Sequence, residues 1–200
     1  MRRPVRSVLI LLVVAGLALA STLAWQRWTR APIAEAEKQF YARRFLSVLA
    51  PQSYDNQPLS NAVSLPAEQP PHSRIMAAYR AERGTTPVAV VLISQVQGYA
   101  APIRLTIAIS AQGRLIGTQV IEQQESPGLG GRINDPQVNW LGQFANRRLE
   151  DRWAIKRDQG DFDQLAGATV TSRAVIQAQQ DALRYFDQHR ARLLGTLNHD

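Results

Sequence analysis

"PIRLTIAIS", residues 102–110, decides how this chain folds. Ile103, Leu105, Ile107 and Ile109 fall on one side of an extended backbone; Arg104, Thr106 and Ala108 fall on the other. Successive side chains of a strand point to opposite faces, so this alternation reads as a strand with a buried face. "AQGR" (111–114) follows, a short loop with Gly113 at the left-handed position. "LIGTQVIEQQ" (115–124) is the partner strand, and "PVAVVLISQV" (87–96), rich in Val and Ile, lies upstream. The three segments predict an antiparallel meander.

The flanks are helical. From about Ser172 to Leu194, Val175, Ala178, Ala182, Tyr185, Phe186 and Leu193 recur at three- and four-residue intervals. That spacing predicts an amphipathic helix, with Thr171 or Ser172 as its N-cap. "APIAEAEKQFYARRFLSVL" (31–49) has a helical pattern and reads as a stalk that Pro51 ends. Residues 137–148, with Trp140, Leu141 and Phe144, predict a short helix, and "RWAIKR" (152–157) predicts a further strand. Strands in the middle and helices at both ends indicate an α+β fold. The expected divisions are a cytoplasmic tip and anchor (1–30), a helical stalk with an irregular Pro-rich region (31–83), the main domain (84–194) and a tail (195–200).

Composition narrows the function. The chain has 200 residues and a net charge of +7, from 23 basic and 16 acidic residues. Arg2, Arg3, Arg6, Arg27 and Arg30 account for five of the basic residues. Without them 18 basic residues face 16 acidic ones, so the body is nearly neutral and no nucleic-acid partner is expected. Cysteine is absent, which removes disulfides, a thiol nucleophile and cysteine-ligated clusters within this chain. His72, His189 and His199 are far apart, without metal-ligand spacing. No metal site is expected.

The core "VLILLVVAGLALASTLAW" (8–25) carries no charge, and a spanning helix needs about 20 mostly apolar residues. Arginines before it and Trp25 and Trp28 after it predict a single-pass anchor with a cytoplasmic N-terminus and an exported main domain. Ala18-Leu19-Ala20 also has the small-x-small form of a signal-peptidase site, so a cleaved, secreted form is the rival reading.

Three stretches carry chemistry. "ESPGLGGRI" (125–133) is a glycine-rich loop after the last meander strand, and is not a GxGxxG fingerprint. "DFDQLAGATVTSRAV" (161–175) runs into the last helix through small residues, with Thr169 at its entry. A helix N-terminus leaves about four N–H groups without intrahelical partners, and its dipole favours phosphate. Physically the stretch is either an ordinary helix entry or an anion site at Thr169. Asp161 and Asp163, with Asp158 nearby, are either solvated loop charges or an acid pair. No placed histidine completes a hydrolase triad, and no catalytic residue is assigned.

These stretches resemble the FMN-binding domain shared by RnfG/RsxG proteins of the Rnf/Rsx electron-transport complex and NqrC proteins of the sodium-pumping NADH:quinone reductase. Asp163, Gly167, Ala168 and Thr169 match its flavinylation pattern; Ala166 stands where Ser or Thr is usual. "ESPGLGGRI" is similar to the family's Glu-Thr-Pro-Gly-Leu-Gly loop, and "QGYAAPIRLTIAIS" (97–110) to its strand entry. The Asp-Phe-Asp-Gln lead is closer to the RnfG/RsxG proteins. The resemblance implies that a flavin transferase moves the FMN group of FAD onto the Thr169 hydroxyl, giving a phosphodiester. It implies that Asp163 serves transferase recognition. Glu125, Ser126, Pro127, Gly128, Leu129, Gly130, Thr171 and Ser172 would border the cofactor. The implied protein is an inner-membrane flavoprotein subunit, partnered by the other complex subunits and the lipid bilayer. It would relay electrons and would not be catalytic alone. Rival readings are an NqrC protein of the quinone reductase and a flavin-free, membrane-tethered assembly module.

Overall fold

The computed structural model describes residues 13–16, 18, 21–22 and 45–196. Residues 13–16, 18 and 21–22 are helical and exposed, and Ser21 and Thr22 hydroxyls donate back to the Ala18 carbonyl. The rest of the expected membrane span (8–25) and most of the 31–49 stalk lie outside the described residues. Among the described residues no helix is long and apolar enough to cross a membrane.

From residue 45 onward the chain builds one sheet of four antiparallel strands: β1 (Ser73–Arg83), β2 (Thr86–Gln97), β3 (Pro102–Ser110) and β4 (Leu115–Glu122). They lie in sequence order, as a meander requires. Gly113 takes the left-handed conformation in the β3–β4 turn (φ +79). Ile103, Leu105, Ile107 and Ile109 are fully buried on one face. Each such side chain contributes about 1.5–3 kcal/mol of burial.

A long helix, α1 (Thr169–Gln188), packs on that face through Val175, Ala178, Ala182 and Phe186, and short α2 (Arg190–Leu194) adds Leu193. Asp181 is fully buried on α1 and accepts hydrogen bonds from the His72 N–H (2.9 Å) and the Ser73 hydroxyl (3.1 Å). This fastens the helix to the start of β1. The opposite sheet face is covered by residues 46–54. Leu49 joins Ala81, Ala89, Val91 and Ala108 there in a smaller cluster.

Three sequence expectations need correction. The main domain begins before residue 84, because β1 lies within the stretch assigned to stalk and irregular chain. Ala77, Ala78 and Ala81 favour helix by propensity, and a register shift between Ile75 and Ala77 breaks the alternation that would have marked a strand. The expected helix over 137–148 is a five-residue 3-10 helix, Trp140–Phe144. Left-handed Asn139 (φ 44) and Asn146 (φ 64) bracket it. The expected strand over 152–157 is a loop whose only ladder contact is the parallel bridge Ile155–Phe162. Its alternation comes from Trp153 and Ile155 pointing into the core, with Trp153 against Phe144 and Phe162.

Candidate functional site

α1 starts at Thr169, earlier than its periodicity suggested, and has no side-chain cap. The residues expected to cap it do other work. The Ser172 hydroxyl accepts from the Leu165 N–H (2.9 Å) and donates to the Ala168 carbonyl (2.8 Å), so it holds the entry turn from inside the first turn of the helix. Thr171 is buried and donates to the Glu125 carboxylate. The half-buried Thr169 has one long hydroxyl contact, to Gln164 Oε1 at 3.3 Å. Val170, next to it, is 50% exposed.

The loop from β4 lies beside this entry. Gly167 adopts φ +73, and a Cβ added there would come within 2.7 Å of Leu129 Cδ2. Leu129 is 46% exposed, so it both covers Gly167 and faces solvent. Ser126, Pro127 and Gly128 are exposed at the loop tip, whereas Glu125 and Gly130 are buried. The Ser126 carbonyl accepts from the N–H groups of Leu129 (3.2 Å) and Gly131 (3.0 Å), which closes the loop on itself. Tyr99, from the β2–β3 turn, is 72% exposed. Gly167→Ala is expected to cost about 1–2 kcal/mol from the left-handed backbone and to displace Leu129. Chemical denaturation of the native and variant proteins measures the first effect. A change in Leu129 methyl NMR shifts reports the second.

Asp163 is held by its backbone and presents its carboxylate outward. The Gln143 side-chain amide pairs with it in both directions, accepting from the Asp163 N–H (2.8 Å) and donating to its carbonyl (3.2 Å). Trp140 Nε1 donates to the same carbonyl at 2.7 Å. The carboxylate is well exposed and pairs with Lys156 Nζ at 2.8 Å. The 3-10 helix that replaced the expected helix therefore positions Asp163, a link the sequence did not signal.

Asp161 is not half of an acid pair with Asp163. Its carboxylate accepts from the Arg152 backbone N–H (3.1 Å) and guanidinium (2.7 Å). The backbone bond first, and the side-chain bond second, hold its pKa below the ordinary 3.8. A carboxylate with a lower folded than unfolded pKa stabilises the fold above the unfolded value; that stability is lost as pH falls through the folded one. Asp161→Asn should therefore flatten the decline in melting temperature below pH 3.8, as thermal melts across that range would record. Asp158 pairs separately with Arg173 at 2.8 Å.

Three loops thus converge: residues 98–101, 125–131 and 163–169. The FMN-binding domain family matches residues 98–184, a span that contains all three. A Pseudomonas aeruginosa protein, named as the G subunit of an ion-translocating oxidoreductase complex, is 40% identical, with 97% of this chain and 94% of that protein covered. A Cereibacter sphaeroides protein of the same name is 36% identical, covering 84% and 78%. The crystal structure of Shewanella oneidensis NqrC matches 70% of this chain and 73% of that one, at 19% identity and a TM-score of 0.48. With such identity to the first two proteins over most of their length, this chain belongs to the G-subunit family of ion-translocating oxidoreductase complexes.

Proposed function

We propose that this chain is the flavoprotein subunit of a membrane-bound, ion-translocating oxidoreductase complex, with FMN joined to Thr169 through a phosphoester. Family membership supports the flavoprotein subunit within a redox-driven translocase. The observation that carries the attachment site is the Thr169 hydroxyl itself. It is half-buried, weakly engaged, and stands on the first residue of a 20-residue helix without a side-chain cap.

The residues present fit such a group. The unpartnered N–H groups of the first turn and the helix dipole favour a phosphodiester's negative charge. Leu129, Val170 and Tyr99 offer exposed apolar surface, and the missing side chain of Gly167 lets Leu129 pack against the turn that leads into Thr169. Bound FMN would supply the electron chemistry, and the protein would orient it and set its surroundings. Asp163 would serve transferase recognition through its outward carboxylate. Attachment forms the Thr169 Oγ–phosphorus bond, breaks the pyrophosphate link of FAD, releases AMP and passes the hydroxyl proton to the transferase or solvent. An N-terminal membrane anchor with an exported domain completes the reading. It rests on the uncharged 8–25 stretch and the arginines before it.

The test is fluorescence of the denatured protein in a gel after co-production with a flavin transferase. A flavin band supports the reading. Its absence returns the chain to a flavin-free assembly module. Intact mass from the membrane fraction distinguishes the anchored from the cleaved form.

A further inference from the structure

Glu125, at the start of the loop beside the α1 entry, carries a buried carboxylate that is only 6% exposed. Both its oxygens are engaged, each by a different segment. Oε1 accepts from the Ala100 N–H at 3.0 Å, in the β2–β3 turn. Oε2 accepts from the Thr171 hydroxyl, in the first turn of α1. The Glu125 backbone N–H is itself held by Gln123 Oε1 at 2.6 Å. A hydrogen bond to an ionised group is worth about twice a neutral one, and a buried carboxylate left without partners is costly.

The space for this carboxylate is made by glycines from two of the three loops. A Cβ on Gly98 would lie 2.5 Å from Oε1. A Cβ on Gly130 would lie 2.7 Å from Oε2 and 2.8 Å from Thr171 Oγ1. Gly130 is thus explained by a socket for Glu125; at Gly98 the Ala101 carbonyl and Ile103 Cδ1, each 2.8 Å from the added Cβ, close the same space, so its own turn requires the glycine as well. The side chain is turned inward, so it is poorly placed to touch a cofactor carried on Thr169.

We propose that Glu125 is a positioning residue: its two carboxylate oxygens clasp the 98–101 turn and the start of α1 to the 125–131 loop, so that Tyr99, Leu129 and Thr169 are presented as one rigid platform. The consequence for the flavin rests on its attachment at Thr169; the clasp itself does not. Glutamate suits the role because it brings two acceptors to two donors. Alanine removes both arms. Thr171→Val removes one arm at nearly constant volume, and Thr171→Ser keeps it.

The experiment is hydrogen exchange on the full-length, flavin-free protein, for Glu125→Ala, Thr171→Val and Thr171→Ser. Amides of residues 126–131 are expected to exchange about tenfold faster or more in the first two, as loss of a charge-assisted bond implies, and those of residues 98–101 in Glu125→Ala, which alone loses the Ala100 arm. Exchange in β2 and β3 should stay at the native rate, and Thr171→Ser should behave as native. Should Glu125→Ala fail to fold, Thr171→Val decides. Native exchange of residues 126–131 in Thr171→Val, or an equal rise through β2 and β3, overturns the clasp. On protein loaded by the transferase, flavin fluorescence anisotropy is expected to fall in Thr171→Val and to be retained in Thr171→Ser; unchanged anisotropy in Thr171→Val also counts against it. Loss of the flavin band in native protein would defeat attachment at Thr169 and leave the exchange result standing.

Discussion

Thr169→Val, co-produced with a flavin transferase, is expected to show no flavin fluorescence on a denaturing gel, while the native protein gives a band. The effect is all-or-none, because the substitution removes the single oxygen that can form the ester. Valine is close to threonine in shape, and both are β-branched, so helix propensity barely changes. The hydroxyl's only contact is the 3.3 Å approach to Gln164, which falls outside the range of a good hydroxyl hydrogen bond. Its loss should change stability by less than about 0.5 kcal/mol, as for most surface substitutions. A band that persists in Thr169→Val, with normal folding, would place the attachment elsewhere.

The second large effect is on stability. Gly160→Ala is expected to destabilise the domain by about 3 kcal/mol or more, because no rotamer can relieve the clash. Gly160 is buried, and a Cβ there would overlap the Ala154 carbonyl, which is backbone. Residues 154–162 form a tight loop. Gly160 N–H donates to the Ile155 carbonyl at 3.0 Å, and Lys156 N–H to the Phe162 carbonyl at 2.7 Å. That loop seats Phe162, fully buried among Phe144 and Trp153, one residue before Asp163. Opening it should disturb Asp163 and reduce flavin incorporation as well. Gly128→Ala is the contrasting variant. Its φ of +77 is strained for alanine, but nothing lies within 4 Å of the added Cβ, so a loss of about 1–2 kcal/mol is expected. Urea titration of both variants measures the difference; comparable losses would mean the 154–160 contact is not the cause.

These two residues show how differently site and scaffold were visible in the sequence. Small neighbours and the helix pattern beyond it marked Thr169 as a helix entry open to an anion, and the resemblance to the flavinylation pattern made it the site. Gly160 gave no such signal, since its tightness depends on a carbonyl that the loop brings back against it. Asp163 was identified by motif, but the Gln143 and Trp140 contacts that hold its backbone cross 20 and 23 residues of chain. β1 was missed for a related reason. Its bulge and its alanines hide the strand pattern, and its identity comes from pairing with β2.

What the sequence determined by itself is what depends on local periodicity and side-chain chemistry. The β2–β4 meander follows from alternation, the left-handed turn from Gly113, and the long C-terminal helix from its apolar spacing; at Thr169 local chemistry reached only a helix entry able to hold an anion, and the family resemblance made it an attachment candidate. Tertiary structure alone decided which groups are turned outward. Thr171 and Ser172 looked like caps or ligand contacts, yet one is spent on Glu125 and the other on the Leu165–Ala168 turn. Glu125 looked like a loop acid beside a ligand, yet it is buried where three segments meet. The physical reason is that a buried polar group must find its partners wherever the fold brings them. Here those partners lie 25 residues before Glu125 and 46 after it.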